Sequence, residues 1–346
     1  MRKVALRLGV SLAIAALIVW WLLSQGFDVV PSLDAIEKVA TPWTIAGYAL
    51  LFLVFHFLRA WRWRYLLRPF ADVPPGVVLE TAFTGFMAIQ MMPLRTGEVA
   101  RPYLLDRYSG LSKSALFGTI AIERVIDGLM VSLWLTVALF TIEADAGPYV
   151  WGLRFVPVAI FVTALALLVA FHRAPALVAR ILRRFLGLVS QKLADFAIGV
   201  LERFHGGLAA LPHMRSFWAF VLFSAMYWGI NATAFLVLAR GCGLDLPAAG
   251  AVAGMGVLAV GILLPAGPGY FGNFQVAVLA ALEMYLPEDA LGEPAAVFIF
   301  LLYVLQTGLT ILVGTGGALA LRRRTPLGRG GDRPATSRAS RSETGA

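Results

Sequence analysis

The stretch Met92-Pro93-Leu94-Arg95-Thr96-Gly97-Glu98 interrupts a long hydrophobic segment of the chain. The stretch Leu264-Pro265-Ala266-Gly267-Pro268-Gly269-Tyr270 interrupts a second segment in the same way, with Pro at its second position and Gly four residues later. Proline removes a backbone donor and glycine permits unusual backbone angles, so we expect a helix to break at each place. Broken helices at corresponding positions in two halves of a chain are typical of a membrane transporter's binding site.

The composition indicates an all-α integral membrane protein. Hydrophobic residues make up 59% of the chain and charged residues only 14%, whereas a soluble domain has roughly 25% charged residues. The apolar runs are long enough to cross ~30 Å of hydrocarbon as helices, and they lack the alternation of β-barrel strands. The net charge of +9 comes from arginines that flank these runs, which is a feature of membrane topology and predicts no nucleic-acid partner.

The hydrophobic runs predict about six full transmembrane helices and two interrupted, re-entrant hairpins. The helices are expected at about 6–24, 43–66, 115–140, 153–171, 215–239 and 294–321, and the hairpins at about 77–112 and 247–286. Residues 1–321 would form a single membrane domain, with an amphipathic piece at 32–39 and a basic surface stretch at 172–214. Residues 322–346 are expected to be a disordered cytoplasmic tail.

The distribution of basic residues predicts the orientation of the chain. The N-terminus, the end of the second helix, the stretch 172–214 and Arg322-Arg323-Arg324 are basic and fall on one side of the membrane. Positive charge favours the cytoplasmic side of a membrane. We therefore expect a multi-pass protein of the inner (cytoplasmic) membrane, with both termini in the cytoplasm. The first helix lacks a convincing cleavage site, so it is predicted to be an uncleaved span.

A shift of constant length relates the two interrupted segments. Pro93 and Pro265 are 172 positions apart, as are Gly97 and Gly269. The two copies that this shift relates are residues 43–140 and 215–312. Three spans separate corresponding elements, so the copies would run in opposite directions as an inverted repeat. The alternative is a coincidence between two loops that are rich in Gly and Pro.

Three charged residues lie inside the predicted helix 115–140. Glu123 and Asp127 are four residues apart on one face, and Arg124 is spaced to pair with Asp127. Glu123 lies roughly 12 Å into the helix, where a charge facing lipid would cost at least ~2.5–3.5 kcal/mol. These side chains must therefore face protein or a wet cavity. They form either a structural brace or a substrate or proton site.

Charged residues also surround the first break. Arg95, Glu98 and Arg101 form either a solvated hairpin end with a Glu98–Arg101 pair or an anion clamp. The cluster Arg59-Ala60-Trp61-Arg62-Trp63-Arg64 either anchors the protein at the interface or gathers anionic lipid headgroups.

The second break differs from the first because it carries no charge. From Gly261 to Leu282 no residue is charged, and the glycines expose backbone groups around Gly267, Gly269 and Gly272. The two breaks would therefore give an asymmetric site with one charged wall and one wall of backbone groups.

Several motifs of catalysis and metal binding are missing from the sequence. No nucleotide-binding Gly-rich loop is present, and the four histidines do not have the spacing of metal ligands. The single cysteine, Cys242, excludes an internal disulfide and a cysteine-based metal site. We expect no metal, no cofactor and no catalytic residue, and hence a transporter rather than an enzyme.

Four short motifs carry a resemblance to a known family. They are Arg62-Trp63, Pro93-x-Arg95-x-Gly97-Glu98-x-x-Arg101, Glu123-Arg124-x-x-Asp127 and Pro265-x-x-Pro268-Gly269-x-x-Gly272. The order and spacing of these motifs resemble those of the flippase-like membrane family that includes the transmembrane region of lysylphosphatidylglycerol synthase. The resemblance extends from about residue 10 to 320. The resemblance implies translocation of a polar-headed lipid between leaflets and two hairpins that meet in the membrane.

Two departures from that family change what we expect. The soluble aminoacyl-transferase domain that follows this region in the synthase is absent, so we expect no synthesis of aminoacylated lipid. Members of the family often carry Glu in a Gly-x-x-Glu pattern after the second break, and this chain has Gln275 there. Gln275 cannot be protonated at physiological pH, so any coupling that used that carboxylate must differ.

The function predicted from the sequence is that of a lipid flippase. Its substrate would be an anionic or aminoacylated phospholipid or a polyprenyl-linked lipid, and its other partner a lipid-modifying enzyme or a second copy of the chain. The alternatives are a small-solute or ion permease and a non-catalytic membrane partner of a lipid-modifying enzyme. The predicted substrate-binding and translocation residues are Arg62, Pro93, Arg95, Gly97, Glu98, Arg101, Glu123, Arg124, Asp127, Pro265, Pro268, Gly269, Gly272 and Gln275.

Overall fold

The computed structural model describes most of the chain, and every regular element in the described ranges is a helix. These ranges are 2–24, 26–92, 97–142, 155–163, 173–188, 190–192, 194–199, 214–264 and 267–326, with the single residues 166, 170 and 202. Pro93, Arg95 and Pro265 lie outside the described residues, as do eight of the nineteen residues of the predicted helix 153–171 and residues 327–346 of the predicted tail.

The first half of the chain contains seven α-helices in the described ranges. They are α1 Arg2–Ser24, α2 Leu33–Val39, α3 Pro42–Trp61, α4 Trp63–Leu67, α5 Pro75–Met91, α6 Ala100–Ser109 and α7 Lys113–Leu139. Side-chain caps explain where three of them begin. The hydroxyls of Ser32, Thr41 and Ser112 each accept a backbone N–H from three residues later, which satisfies donors at the helix start.

The second half begins with short helical pieces and continues with longer ones. Its helices are α8 155–163, α9 Pro175–Leu186, α10 194–199, α11 Met214–Gly241, α12 Ala248–Gly261, α13 Asn273–Glu283 and α14 Glu293–Arg322. Two short 3-10 helices, Pro268–Tyr270 and Glu288–Leu291, precede α13 and α14.

Three helical segments of the described ranges are long and apolar enough to cross a membrane. They are Pro42–Leu67, Arg215–Gly241 and Glu293–Arg322, with 26, 27 and 30 residues. Helix α7 has 27 residues and is therefore about 40 Å long, but it carries the three charged residues in its interior. The prediction of an all-helical membrane protein is confirmed, while the number of six spans and the re-entrant course of the hairpins stay predictions.

Each interrupted segment consists of two helices with a break between them. Helix α5 ends at Met91 and α6 begins at Ala100, and the two helices contact each other. Helix α12 ends at Gly261 and α13 begins at Asn273, and these helices also contact each other. Both α-helices therefore end within a few residues of the places where the Pro and Gly pattern predicted a break.

The helices contact one another in a pattern that has two corresponding halves. Helix α3 contacts α11, α5 contacts α14, and α7 contacts α12. Under the predicted shift, α5–α14 corresponds to α12–α7 and α3 corresponds to α11. Gly314 and Gly317 allow the close approach of α14 to α5, since a Cβ at Gly317 would lie 2.8 Å from the carbonyl oxygen of Glu80. The inverted repeat itself stays a prediction.

Candidate functional site

Arg62, at the junction of α3 and α4, forms a buried ion pair with Asp127 of α7. Its Nη1 donates to Asp127 Oδ1 at 2.7 Å and its Nη2 donates to Asp127 Oδ2 at 2.8 Å. The Arg62 side chain is fully buried, and its guanidinium lies 4.3 Å from the ring centre of Tyr227. A two-pronged pair of this kind fixes both side chains in orientation as well as in distance.

Helix α11 supplies further partners for this pair. Ser224 Oγ accepts a hydrogen bond from Arg62 Nη1 at 2.7 Å, and the Tyr227 hydroxyl donates to Asp127 Oδ1 at 2.6 Å. Ser224 and Tyr227 are buried. The pair therefore connects the α3–α4 junction, α7 and α11 in the interior of the protein.

Arg101, at the start of α6, forms a second buried pair with Glu123 of α7. Arg101 Nη1 donates to Glu123 Oε1 at 2.8 Å, and Nη2 donates to Oε2 at 3.0 Å. The guanidinium also lies 4.1 Å from the ring centre of Trp63. Gly85 of α5 leaves room for this arrangement, because a Cβ there would collide with the Arg101 side chain. Arg101 is thus not at a solvated hairpin end.

Arg124 connects the two ion pairs, and its side chain is more exposed than those of the four paired residues. Its Nη2 donates to Glu123 Oε1 at 2.7 Å and lies 3.5 Å from Asp127 Oδ2. The pairing with Asp127 that the spacing predicts is therefore present, but the shorter contact is to Glu123. The Arg124 side chain is 31% exposed, while the Glu123 side chain is fully buried.

Arg59 adds a further positive charge next to these residues. Its guanidinium lies 4.2 Å from the ring centre of Phe86, and it is partly exposed. The charges of Arg124, Glu123 and Asp127 all act on it. No direct ion pair joins Arg59 to a carboxylate within the ranges that the structure describes.

The charges in this region do not cancel. Glu98, close to the first break, interacts electrostatically with Arg124. The region, which we name the ion cluster, comprises Arg59, Arg62, Arg101, Arg124, Glu98, Glu123 and Asp127. Among the residues of this region that the structure describes, four cations against three carboxylates leave one positive charge in excess. The two pairs are each neutral, so the excess belongs to Arg59 and Arg124, which are also the partly exposed cations.

Gly97 lies close to the backbone of α5. A Cβ at this position would collide with the backbone of Ala88 and with the nitrogen of Ile89, and Gly97 is buried. The residue type is therefore required by packing at the first break. It brings Glu98 and α6 next to α5.

The second break is built from glycines with positive φ and a buried glutamine. Gly269 has φ 72° and Gly272 has φ 91°, which favours glycine. Gln275 Oε1 accepts the backbone N–H of Gly272 at 2.8 Å and caps α13. Gln275 is buried, so its observed role in the structure is to hold the turn.

The second break also contacts the first interrupted segment. The hydroxyl of Tyr270 donates to the carbonyl oxygen of Ile89 at 3.1 Å. Ile89 lies two residues before the end of α5. The 3-10 helix of the second break therefore lies next to the end of α5, where the first break begins.

The structure brings together some of the predicted site residues and separates others. Arg62, Arg101, Glu123, Arg124 and Asp127 form one group, with Glu98 as an electrostatic neighbour. Gly269, Gly272 and Gln275 shape the second turn, and the backbone of Pro268 belongs to the same turn. Pro93, Arg95 and Pro265 lie outside the described residues.

Sequence reasoning missed several contributors to the ion cluster. Ser224 and Tyr227 carry no charge and are 162 and 100 residues from their partners. Their spacing of three places them on one face of α11, and this polar spot in an apolar helix was the available signal. Gly85 gave no signal, because its role depends on a side chain from another helix. In the described part of the chain no group of three His, Cys, Asp or Glu side chains is arranged for a metal.

Comparison with known proteins identifies the family to which this chain belongs. Residues 8–314 match the family described as the lysylphosphatidylglycerol synthase TM region. Among curated proteins, the chain is similar to Glycosyltransferase AglD of Haloferax volcanii, with 24% identity over 352 residues. The match covers 92% of this chain and 55% of that protein, so the chain spans about half the length of this relative. The family that the four motifs predicted is confirmed, and the chain belongs to the family of the lysylphosphatidylglycerol synthase transmembrane region.

Proposed function

We propose that this protein moves a lipid with an anionic headgroup between the leaflets of the cytoplasmic membrane. The observation that carries the proposal is the excess positive charge of the ion cluster at Arg59 and Arg124. Arg59 is partly exposed on α3, and the Arg124 side chain is 31% exposed on α7. A guanidinium presents donors in a fork that fits the oxygens of a phosphate group.

A purely structural role explains only part of the cluster. The pairs Arg62–Asp127 and Arg101–Glu123 connect helices and are neutral, so they act as braces whether or not a substrate binds. A brace does not need a surplus cation, because each charge inside a membrane costs ~2.5–3.5 kcal/mol or more. An anionic group that enters from the lipid would compensate the charge of Arg59 and Arg124.

Reconstitution into vesicles tests this function. The purified protein is placed in vesicles that contain phosphatidylglycerol with a fluorescent headgroup-proximal label, and a membrane-impermeant reductant is added outside. We expect the label of the inner leaflet to become accessible with the protein present and to stay protected in protein-free vesicles. Equal protection in both preparations would contradict the proposal, and uptake of free phosphate without lipid movement would support a small-solute permease instead.

A second candidate is a membrane partner of a lipid-modifying enzyme. The relative from Haloferax volcanii favours this candidate. That protein is named a glycosyltransferase, and the match to this chain covers only 55% of its length. Under this proposal the ion cluster would hold a lipid-linked phosphate for an enzyme. Binding of a photoreactive polyprenyl phosphate, without movement of any labelled lipid in the vesicles, would favour the second candidate over the first.

A further inference from the structure

A large apolar cavity has one wall on α7 that begins at Val131, one helical turn after Asp127 of the ion cluster. Its volume is about 780 Å³, which is within the 300–1,000 Å³ typical of ligand sites. Helices α1, α7, α8, α12 and α13 form its walls, and no residue that lines it is charged. On α7 the lining residues are Val131, Ser132, Leu135 and Leu139.

Helix α7 carries both Arg124 of the ion cluster and part of the cavity wall. Val131 lies seven residues after Arg124 and Leu135 eleven residues after it, so all three lie on one face of the helix. The rise from Arg124 to Leu135 is roughly 16 Å. One side of α7 therefore changes from a guanidinium to an apolar wall within this length.

Gly128 lies on α7 between Arg124 and the cavity wall. It lies one helical turn after Arg124 and is exposed, and a Cβ built on it would meet nothing within 4 Å. Most other glycines of the membrane helices lie against neighbouring atoms, as Gly85 does against Arg101. In the turn of α7 between Arg124 and Val131, no side chain therefore occupies the space next to Gly128.

We infer that one molecule occupies both places, an anionic glycerophospholipid whose phosphate contacts Arg124 and whose acyl chain passes Gly128 into the cavity. This inference rests on the proposed function, because it uses the same excess charge. Charge complementarity selects the anionic headgroup, and the uncharged cavity selects a hydrocarbon chain. A small water-soluble anion would satisfy Arg124 but would leave the apolar cavity without a matching group.

The predicted orientation of α7 adds a direction to the bound lipid. If Lys113 is at the cytoplasmic end of α7, the cavity lies in the outer half of the membrane and Arg124 lies nearer the cytoplasm. A lipid with its phosphate at Arg124 and its chain in the cavity then points its headgroup toward the cytoplasm. The bound lipid therefore has the orientation of a lipid in the cytoplasmic leaflet, but its phosphate lies deeper in the membrane.

Photolabelling of the full protein in vesicles tests the inference. The probes are phosphatidylglycerol and phosphatidylcholine, each with a diazirine in an acyl chain, and labelled peptides are identified by mass spectrometry. We expect phosphatidylglycerol to label the cavity walls near Leu135 and Met284 about tenfold more than phosphatidylcholine does. That ratio corresponds to about 1.4 kcal/mol.

Matched variants make the test specific. Arg124→Gln should lower labelling by phosphatidylglycerol to the level of phosphatidylcholine, and Gly128→Leu should lower it by obstructing the path. Gly308→Leu is the control, since Gly308 is an exposed glycine of α14 with nothing within 4 Å of a built Cβ. Leu135→Trp, which fills the cavity without changing the ion cluster, should also abolish labelling of the walls.

Two outcomes would overturn the inference. Equal labelling by both probes, or labelling that Arg124→Gln and Gly128→Leu leave unchanged, would show that the cavity holds bulk lipid chains without regard to headgroup. The transport measurement on the same vesicles separates this failure from that of the proposed function. Lipid movement without headgroup-dependent labelling defeats the inference alone, and headgroup-dependent labelling without movement defeats the proposed transport alone.

Discussion

Arg101 and Glu123 form a two-pronged ion pair that attaches the first interrupted segment to α7. The two nitrogen–oxygen distances are 2.8 and 3.0 Å, and both side chains are buried. The same carboxylate accepts a hydrogen bond from Arg124 at 2.7 Å. Glu123 therefore compensates charge from α6 and from its own helix, which makes it the most heavily shared acid of the ion cluster.

The first prediction concerns removal of this acid's charge. Glu123→Gln keeps the size of the side chain but leaves Arg101 buried without a counter-charge, so we expect a loss of about 3–5 kcal/mol in the free energy of unfolding. Denaturant unfolding in detergent measures it. Asp106→Asn is the control, because Asp106 pairs with Lys113 at 3.6 Å on the exposed surface, where a pair contributes about 0–1 kcal/mol. Equal losses in both variants would contradict the prediction.

A double substitution separates bracing from substrate binding. Arg101→Met combined with Glu123→Leu replaces the pair by apolar side chains, and we expect it to recover most of the stability that Glu123→Gln loses. Lipid movement should stay low in the double variant, because Arg124 then lacks the carboxylate that orients it. Recovery of both stability and movement would assign the pair a structural role only.

The sequence predicted the helices well and the contacts between them poorly. The breaks after Met91 and Gly261 follow from local Pro and Gly chemistry, and the helix starts at Thr41 and Ser112 follow from local caps. These signals lie within a few residues of the structure that they determine, so a single sequence is sufficient to find them.

The pairings of the ion cluster depend on distant parts of the chain. Arg62 and Asp127 are 65 residues apart, and nothing in the local sequence distinguishes this partner from other acids. Spacing on α7 predicted the contact of Arg124 with Asp127 but not the shorter contact with Glu123. Arg62 gave the signals of an interfacial anchor, although the structure buries it completely.

The second prediction concerns the hydrogen bond from Tyr227 to Asp127. Tyr227→Phe removes a buried donor to a charged acceptor at 2.6 Å, so we expect a loss of about 1.5–3 kcal/mol in the free energy of unfolding. Tyr285→Phe is the matched control, because its hydroxyl donates to the neutral carbonyl of Ala138, also at 2.6 Å. A neutral bond contributes about 0.5–1.5 kcal/mol, and a larger loss at Tyr285 than at Tyr227 would contradict the account.

The third prediction concerns the glycine of the first break. Gly97→Ala introduces a Cβ into the backbone of α5 at Ala88, and backbone cannot move aside as a flexible side chain can. We expect a loss of about 1–3 kcal/mol in the free energy of unfolding. Gly308→Ala, at an open helical position, should be neutral or stabilising by up to about 1 kcal/mol. Thermal unfolding of both variants under the same conditions decides it, and an unaffected Gly97→Ala would be the contrary result.

The fourth prediction concerns the basic helix α9. Leu177, Ile181 and Phe185 are exposed and recur every fourth residue, so we expect this face to enter the membrane interface. A polarity-sensitive dye on Phe185→Cys should report a less polar environment than the same dye on Arg183→Cys. The native Cys242 is 1% exposed and burial raises the pKa of its thiol, so we expect it to react slowly with the dye. Identical spectra at both positions would place the face in water.

The most direct measurement of the central claim compares the rate of phosphatidylglycerol movement by the native protein and by Arg124→Gln in the same vesicles. Arg124 is partly exposed and holds part of the excess charge, so its loss should remove headgroup binding without the penalty of an orphaned carboxylate, since Glu123 keeps Arg101. We predict that movement falls about tenfold or more, with a smaller fall for Arg59→Gln, while the unfolding temperature stays close to that of the native protein. Undiminished movement in a folded Arg124→Gln protein would contradict the claim that the excess charge of the ion cluster binds the lipid.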